Sequence, residues 1–282
     1  MERNKTKPIK SLYHHSRYAG NKGDLWKHYI LKELMNVVQP TEEDQILDSH
    51  GGPGAYNLRA GDEWKRGLGE IEDDHNIDDS WFDLVWQRFK SSKQYHGSWL
   101  QLSEGYLCKI TVCDHNPDVI TSMRNNRSLS PRPENLNFLE TDSFTYLNEN
   151  ASWFKLVFID PAYSLKDGRG DDWEKIKTFV SKHHDLNFLI WYPLYGPKKP
   201  NEIISKFDLT GIEIHWPTKR KSAYVPKGCG LLLSDSLFRN SKNLHCSWRK
   251  FAKVLGGDLM VRTYHNLSNE HLFGDRQIFG KT

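Results

Sequence analysis

Short apolar segments that end on an acidic residue recur along this 282-residue chain. Each is too short for a helix, and β-branched or aromatic side chains are frequent in them, which is typical of buried strands. The three clearest segments cover residues 45–48, 110–113 and 156–159, and their acids are Asp48, Asp114 and Asp160. We predict that these are strands of one sheet with an acid at the end of each.

Four further segments also have strand character. Residues 136–139 and 187–191 are further apolar segments that predict strands. Residues 212–216 alternate between apolar and polar side chains, which predicts an edge strand. Residues 230–233 form the last predicted strand.

Helical spacing of apolar residues appears between the predicted strands. A helix is predicted to run to about Val38, with Asp24 as its N-cap and Pro40 ending it. Residues 59–94 begin acidic and continue with aromatic side chains at helical spacing, which predicts a helical insertion. Ser98 is predicted to cap a helix over residues 99–107.

The length of the chain favours one folded domain with an insertion over two equal domains. We assign residues 1–12 to a disordered lead-in, residues 13–282 to the domain, and residues 59–94 to an inserted subdomain. The net charge of +3 permits nucleic-acid binding without demanding it. The 10 Trp, 12 Tyr and 13 Phe supply rings that can stack on bases, although many belong to the core.

Several classes of protein are disfavoured. The four cysteines are scattered without a C-x-x-C pair, so neither a metal site nor a disulfide framework is expected. The mean hydropathy is −0.71, and no apolar run approaches the ~20 residues that cross a membrane. The basic N-terminus lacks the apolar core of a secretory signal. A cytoplasmic location is therefore expected.

A glycine-rich loop follows the first predicted strand. Gly51, Gly52 and Gly54 let the backbone approach a nucleotide closely, and His50 precedes them. Pro53 departs from the dinucleotide G-x-G-x-x-G spacing and suits S-adenosylmethionine (SAM), which has no pyrophosphate.

The acids at the strand ends favour the same kind of ligand. Asp114 stands where nucleotide-binding sheets hold the ribose hydroxyls. Asp142 stands where such folds contact the adenine ring, although it could equally be an ordinary N-cap. Acids bind hydroxyls and amines rather than phosphates, which favours SAM over NAD or ATP. The chain also lacks a P-loop G-K-[ST] and the paired motifs of zinc deaminases.

The segment after residue 159 suits chemistry on an exocyclic amine. Asp160 and the carbonyl of Pro161 can each accept a hydrogen bond from one NH2 group, and Tyr163 can stack on the base that carries it. Two acceptors draw the nitrogen lone pair out of conjugation and prepare it as a nucleophile. The tetrapeptide resembles the D-P-P-Y signature of amino-group methyltransferases, with Ala162 in place of the second proline.

A cluster of donors and rings precedes the first long helix. We predict that it contacts a nucleotide or RNA phosphates, while the alternative is a capped amphipathic helix with a solvated lysine. The predicted substrate contacts are Tyr13, His15, Arg17, Tyr18 and Lys22.

Taken in order, the motifs YHHSRYAGNKGDLWKH, DSHGGPGAY, HGS, FIDPAY and LIWYP resemble the RlmJ family. Members methylate N6 of an adenine in large-subunit (23S) ribosomal RNA. The resemblance implies an α/β fold, a Rossmann-like SAM-dependent methyltransferase sheet with a helical insertion after the glycine-rich loop. It implies Asp160 as the catalytic residue. The implied SAM contacts, to which we add His28 of the same block, are Lys27, His50, Ser98, Asp114 and Asp142.

The chain departs from the family pattern at four positions. Ala162 replaces a proline, Asp114 stands where Glu is common, and Arg17 and Tyr18 replace Phe and His. The main hypothesis is an rRNA adenine-N6 methyltransferase, expected to be a monomer without a metal or a membrane partner. The alternatives are a DNA adenine methyltransferase and a catalytically inactive nucleic-acid-binding relative.

Overall fold

An eight-stranded, mostly parallel sheet forms the centre of the protein. The structure, a computed structural model, describes residues 15–71, 79–163, 171–195, 207–217 and 226–264. Two short strands pair outside this sheet. The strands are β1 (Gln45–Asp48), β2 (Ala55–Asn57), β3 (Gln94–His96), β4 (Lys109–Asp114), β5 (Leu136–Glu140), β6 (Leu156–Ile159), β7 (Phe188–Tyr195), β8 (Leu209–His215), β9 (Pro226–Leu233) and β10 (Asp258–Tyr264).

The order across the sheet is β10-β8-β9-β7-β6-β1-β4-β5. Strands β5, β4, β1, β6 and β7 are parallel, whereas β9 runs antiparallel to both of its neighbours and β10 runs antiparallel to β8. After β5 the chain crosses to the other side of β1 and continues with β6, so the crevice at the carboxyl ends of β1 and β6 lies at a topological switch point, where such sheets bind ligands. The predicted Rossmann-like fold is confirmed.

Two predictions for the C-terminal strands are wrong. Strand β8 was expected at the edge, but it lies between β9 and β10. The segment at 230–233 is part of β9 and is not the last strand, because β10 follows it. Strand β10 interrupts its apolar residues with Asp258, Arg262 and Thr263, and this mixed composition hides an edge strand from a search for apolar runs.

Helices cover both faces of the sheet. One buried cluster includes α2, α4, α8 and α9, and a second includes α6 and α7 on the other face. The helices are α1 (His15–Tyr18), α2 (Lys22–Val38), α3 (Ser80–Ser92), α4 (Ser98–Gly105), α5 (Pro117–Asn126), α6 (Ser143–Asn150), α7 (Asp171–Lys182), α8 (Asp235–Asn240) and α9 (His245–Val254). No helix in the described ranges is long and apolar enough to cross a membrane.

The helical insertion predicted after the glycine-rich loop is present. Strands β2 and β3 form a small antiparallel ladder, and helix α3 lies between them in the chain. Phe82, Val85 and Phe89 form the buried side of α3 and join the larger core cluster. The assignment of residues 59–94 to a separate subdomain stays a prediction. Residues 1–12, predicted to be a disordered lead-in, lie outside the described residues.

Two predicted helix caps are wrong. Asn21, not Asp24, is the N-cap of α2, because the Asn21 side chain accepts a hydrogen bond from the Asp24 backbone N–H. Gly97, not Ser98, is the N-cap of α4. The side chains of Asp24 and Ser98 are engaged in the candidate site instead.

Candidate active site

The carboxyl ends of three adjacent strands bring Asp48, Asp114 and Asp160 to one edge of the sheet. Strand β1 lies between β6 and β4, so Asp48 stands between the other two acids. Asp48 is fully buried and Asp114 is 8% exposed. The predicted row of acids is therefore present, and it lies at the edge where open α/β sheets bind ligands.

Lys27 of helix α2 joins two of the carboxylates in this region. Its Nζ lies 2.6 Å from Oδ2 of Asp160 and 2.7 Å from Oδ1 of Asp24. Burial alone would lower the pKa of Lys27, but the two carboxylates outweigh it and hold that pKa well above its usual value. Lys27 therefore stays charged.

Asp160 has a raised pKa with opposing causes. Burial is the main cause of the increase, and the negative charge of Asp24 adds to it. The charge and hydrogen bond of Lys27 oppose both effects. Lys27 is thus the group that favours the carboxylate form of Asp160.

Asp48 and Ser98 form a second buried pair. The Ser98 hydroxyl donates to Oδ2 of Asp48 over 2.5 Å, and the backbone N–H of His50 donates to Oδ1 over 3.4 Å. Burial raises the pKa of Asp48 to about 7, although these two hydrogen bonds oppose the shift. Ser98 thus faces the acids at the sheet edge.

The glycine-rich loop packs tightly on Trp99 of helix α4. A Cβ atom at Gly54, where φ is +87°, would lie 2.0 Å from the Trp99 ring, and one at Gly51 would lie 2.3 Å from Val112. The Trp99 ring N–H donates to the carbonyl of Gly52, where φ is +58°. The close approach that demands glycine here is therefore to the protein's own core.

Asp114 and Asp142, the two remaining acids predicted to contact the cofactor, make different hydrogen bonds. Asp114 is buried and accepts from the backbone N–H of Asn116 at 2.8 Å, which fixes the turn after β4. Asp142 caps helix α6 by accepting from the N–H and hydroxyl of Thr145. Asp142 is therefore the N-cap of α6, as the alternative prediction for this residue stated. Its side chain is 54% exposed.

Tyr163 is not placed to stack on a base in this structure. Its ring is 7% exposed, packs against Trp173 and Trp191, and donates its hydroxyl proton to the carbonyl of Trp191 at 2.7 Å. Its φ of +41° is unusual for a residue other than glycine. In this arrangement the ring has a packing role, and its predicted catalytic role stays a prediction.

Two side chains predicted from the N-terminal block are engaged within the protein. His28 is buried, its Nδ1 lies 2.6 Å from the Tyr95 hydroxyl, and burial lowers its pKa to about 3. Lys22 pairs with Glu70 at 2.7 Å.

The other predicted substrate contacts either lie at the surface or fall outside the residues that the structure describes. Arg17 and Tyr18 are exposed at the end of the four-residue helix α1. Tyr13 and the side chain of His15 lie outside the described residues.

A narrow polar cavity lies between the start of helix α2 and the end of strand β6. Its volume is about 60 Å³, below the ~300 Å³ at which small-molecule pockets begin, so a ligand of SAM size needs its lining side chains to move. Asp24, Lys27, Ser98, Asp160 and Pro161 all line it. Two carboxylates, Asp24 and Asp160, against the one ammonium of Lys27 suit the cationic SAM. No metal-binding cluster occurs in the part of the chain that the structure describes.

Asp24 and Trp191 also line the cavity, and they were not among the predicted site residues. Asp24 stands three residues before Lys27 in a helix, a spacing at which opposite charges meet, so this pair could have been found from the sequence. The Trp191 ring lies 5.3 Å from the Lys27 ammonium, a contact across the fold that no local pattern signals.

Comparison with known proteins gives the same family as the motifs. No protein-family model matches the sequence. The ribosomal RNA large subunit methyltransferase J of Haemophilus influenzae is 25% identical over 218 residues, which cover 71% of this chain and 76% of that protein. The protein of the same name from Escherichia coli is 23% identical over 227 residues, with the same coverage. The predicted resemblance to the RlmJ family is confirmed.

A solved structure supports the fold independently. Protein LPL1258 from Legionella pneumophila superposes with a TM-score of 0.66 and covers 87% of this chain and 98% of its own. Its sequence identity is 20%, so the likeness concerns the architecture alone.

Proposed function

We propose that this protein is a SAM-dependent methyltransferase that modifies the N6 amino group of an adenine in 23S ribosomal RNA. The observation that carries the proposal is Asp160, a carboxylate with a 15% exposed side chain at the end of β6 that lines the cavity together with Pro161. The two curated relatives, named as large-subunit rRNA methyltransferases, support the reaction and the class of substrate.

Asp160 and Pro161 supply the two acceptors that an exocyclic amine needs. The Asp160 carboxylate and the Pro161 carbonyl hold the NH2 group so that its lone pair points along the line of methyl transfer. SAM, when bound, supplies an activated methyl group. Positioning of the nucleophile then provides much of the acceleration, because the two reacting atoms are held in near-attack geometry.

Lys27 keeps Asp160 in the form that this chemistry requires. Only the carboxylate accepts a hydrogen bond on both oxygens, and burial opposes that form. Lys27 counters burial through Oδ2, which leaves Oδ1 for the amine. Together Lys27, Asp24 and Asp160 carry a net charge of −1, which stabilises the positive charge that develops on a methylated amine.

The acids of β1 and β4 face the expected position of the cofactor. Asp114 would accept from the ribose hydroxyls, and Ser98 and His50, held beside Asp48, would contact the amino-acid part of SAM. The backbone around Asp142 would face the adenine ring, since its side chain already caps α6. Lys27 and His28 border the same cavity.

The substrate adenine reaches the site after leaving its stack. Unstacking costs a few kcal/mol and is least for a single-stranded or stem-loop site, which is the substrate we propose. Tyr18, which lines the cavity, the exposed Arg17 next to it in the chain, and Lys22 would contact the RNA around the target adenine. We propose that the protein acts as a monomer in the cytoplasm, where ribosomal RNA is made in bacteria such as those of the relatives.

Methyl transfer from labelled SAM to unmodified 23S rRNA tests the proposal, with single-stranded and duplex DNA alongside and nucleoside analysis of the product. Asp160→Asn should lower transfer by at least a hundredfold. Asp185→Asn, an exposed change of the same chemistry, should not. N6-methyladenosine in rRNA is the expected product. Label in DNA alone, or full activity of Asp160→Asn, would contradict the proposal.

A further inference from the structure

The segment from α8 to the end of α9 carries a group of exposed cations that the proposed reaction does not use. Between residues 236 and 257 the chain has five basic residues and no acidic ones, although the whole chain is nearly balanced, with 39 basic and 36 acidic residues. All five are exposed. These residues, which we call the α9 basic face, are Arg239 of α8, Lys242 between the two helices, and Arg249, Lys250 and Lys253 of α9.

Three of these cations have no carboxylate partner. Among the described residues, Lys242, Arg249 and Lys250 form no ion pair, whereas Lys253 pairs with Asp258 and Arg239 lies 3.5 Å from Asp235. Elsewhere in the described structure several cations are paired, including Lys22 with Glu70, Lys32 with Asp79 and Arg88 with Glu104. The α9 basic face therefore keeps charge that an anion can neutralise.

The positive charge of the α9 basic face also acts on His245. His245, at the start of α9, has a lowered pKa, first because of burial and then because of the positive charges of Arg249 and Lys242. Both cations therefore act on the same ring.

The opposite side of α9 is fixed against the core. Trp248, Phe251 and Ala252 are buried, and the Phe251 ring stacks on Tyr29 of α2 with centroids 4.0 Å apart. A membrane-surface helix needs its apolar side free to enter lipid, and here that side is covered. The exposed surface thus suits a hydrophilic polyanion better than a bilayer.

Helix α9 packs on the side of α2 that carries Tyr29 and Glu33, which the helical turn places away from the cavity-lining Asp24 and Lys27. Ser247 contacts Glu33 and Phe251 contacts Tyr29, so α9 runs antiparallel to α2. The turn after α9 approaches the first residue of α2, since a Cβ atom at Gly256 would lie 3.5 Å from Lys22 Nζ.

We propose that the α9 basic face binds the phosphate backbone of the RNA substrate. This inference rests on the proposed function and adds the surface that holds the RNA outside the target nucleotide. Arg249, Lys250 and Lys253 lie within about one turn of α9, and Lys242 precedes that helix, so several cations are available to neutralise phosphates. Such contacts position a nucleic acid without reading its sequence.

The test compares two double variants with the same change of charge. Arg249→Glu/Lys250→Glu reverses two unpaired cations of the face. Lys109→Glu/Lys177→Glu reverses two exposed and equally unpaired cations, on β4 and α7. Binding of in vitro transcribed 23S rRNA and of a labelled stem-loop RNA is measured over a range of salt concentrations. Binding of SAM, thermal unfolding and methyl transfer are measured in parallel.

We expect the α9 variant to bind RNA at least tenfold more weakly, and its log Kd to depend less steeply on log salt, by about 0.7 for each phosphate that the variant no longer neutralises. The KM for RNA should rise, while kcat at saturating RNA, SAM binding and thermal stability stay as in the control variant. RNA binding and salt dependence equal to the control would overturn the proposal. So would a selective loss of binding to anionic lipid vesicles with RNA binding retained. Because the RNA-binding measurement needs no turnover, it decides this proposal even if methyl transfer fails.

Discussion

The ammonium of Lys27 lies 2.6 Å from Oδ2 of Asp160, although the two residues are 133 positions apart in the chain. The contact joins the first long helix to the end of strand β6 inside a mostly buried cavity. It neutralises the carboxylate that we assign to catalysis and fixes one of its oxygens. Any change at Lys27 should therefore alter both the stability of the fold and the chemistry of Asp160.

Replacing Lys27 by Met leaves Asp24 and Asp160 facing each other without a cation. Removal of one partner from a buried ion pair costs about 3–5 kcal/mol, so the free energy of unfolding should fall by that amount at neutral pH. Methyl transfer should fall as well, because Asp160 loses the charge that favours its carboxylate. Denaturant unfolding and the transfer assay measure the two effects.

Lys155→Met is a matched control for that change. Lys155 pairs with Asp44 at 2.9 Å, but both side chains are much more exposed than Lys27 and Asp160. An exposed pair is worth about 0–1 kcal/mol, so this variant should stay stable and active. Equal losses in the two variants would show that the Lys27 pair contributes no more than a surface pair.

Asp24→Asn should move the acidic limb of the pH–rate profile to lower pH. The negative charge of Asp24 raises the pKa of Asp160, and without it Lys27 pairs with Asp160 alone. Both effects favour the Asp160 carboxylate at lower pH. The profile of kcat/KM for RNA measures the limb, and an unchanged or upward-shifted limb would refute this coupling.

The sheet was predictable because its strands are buried. Strand β1 matches its prediction residue for residue, since an apolar run between an acid and a glycine loop has no competing interpretation. Strand β10 was missed because an edge strand mixes polar with apolar positions. The sequence identified the acids at the strand ends, but it did not identify the side chains that contact them, such as Lys27 at Asp160 and Ser98 at Asp48.

Tyr163 and Ser98 show where local pattern is insufficient. The Tyr163 ring follows the signature expected of a stacking residue, yet the fold buries it against Trp173. Ser98 has the residue type of a helix cap, yet its hydroxyl bonds to Asp48, which is 50 residues away in the chain. In both cases the contact that forms is with a residue outside the local motif, Trp173 for Tyr163 and Asp48 for Ser98, and such contacts are visible only in the packed structure.

Gly54→Ala should disrupt the glycine-rich loop. The new Cβ would lie 2.0 Å from the Trp99 ring, and the φ of +87° is strained for alanine. We expect SAM binding to weaken by at least tenfold and the melting temperature to fall. Gly61→Ala is the control, because a Cβ there has no neighbour within 4 Å. Calorimetric SAM titration and thermal unfolding of both variants measure the effect, and similar behaviour of the two would contradict the packing argument.

Asp48→Asn should remove a pH dependence of stability. Burial raises the pKa of Asp48 in the folded protein to about 7, whereas an unfolded aspartate titrates near 3.9. A raised acid pKa means that the folded state holds the proton more tightly, so the wild type is stabilised at low pH and loses that stability as pH rises from about 4 to about 7. Three pKa units correspond to on the order of 4 kcal/mol, which is the upper limit of the effect.

Denaturant unfolding of wild type and Asp48→Asn at several pH values between 4 and 8 measures this dependence. Asp160, which also has a raised pKa, is present in both proteins, so most of its contribution cancels in the difference. The stability of the wild type relative to the variant should decline up to about pH 7 and then level off, since deprotonation is complete above the folded pKa. A difference that is flat over this range would mean that Asp48 is ionised throughout, and that the hydrogen bonds from Ser98 and His50 outweigh its burial.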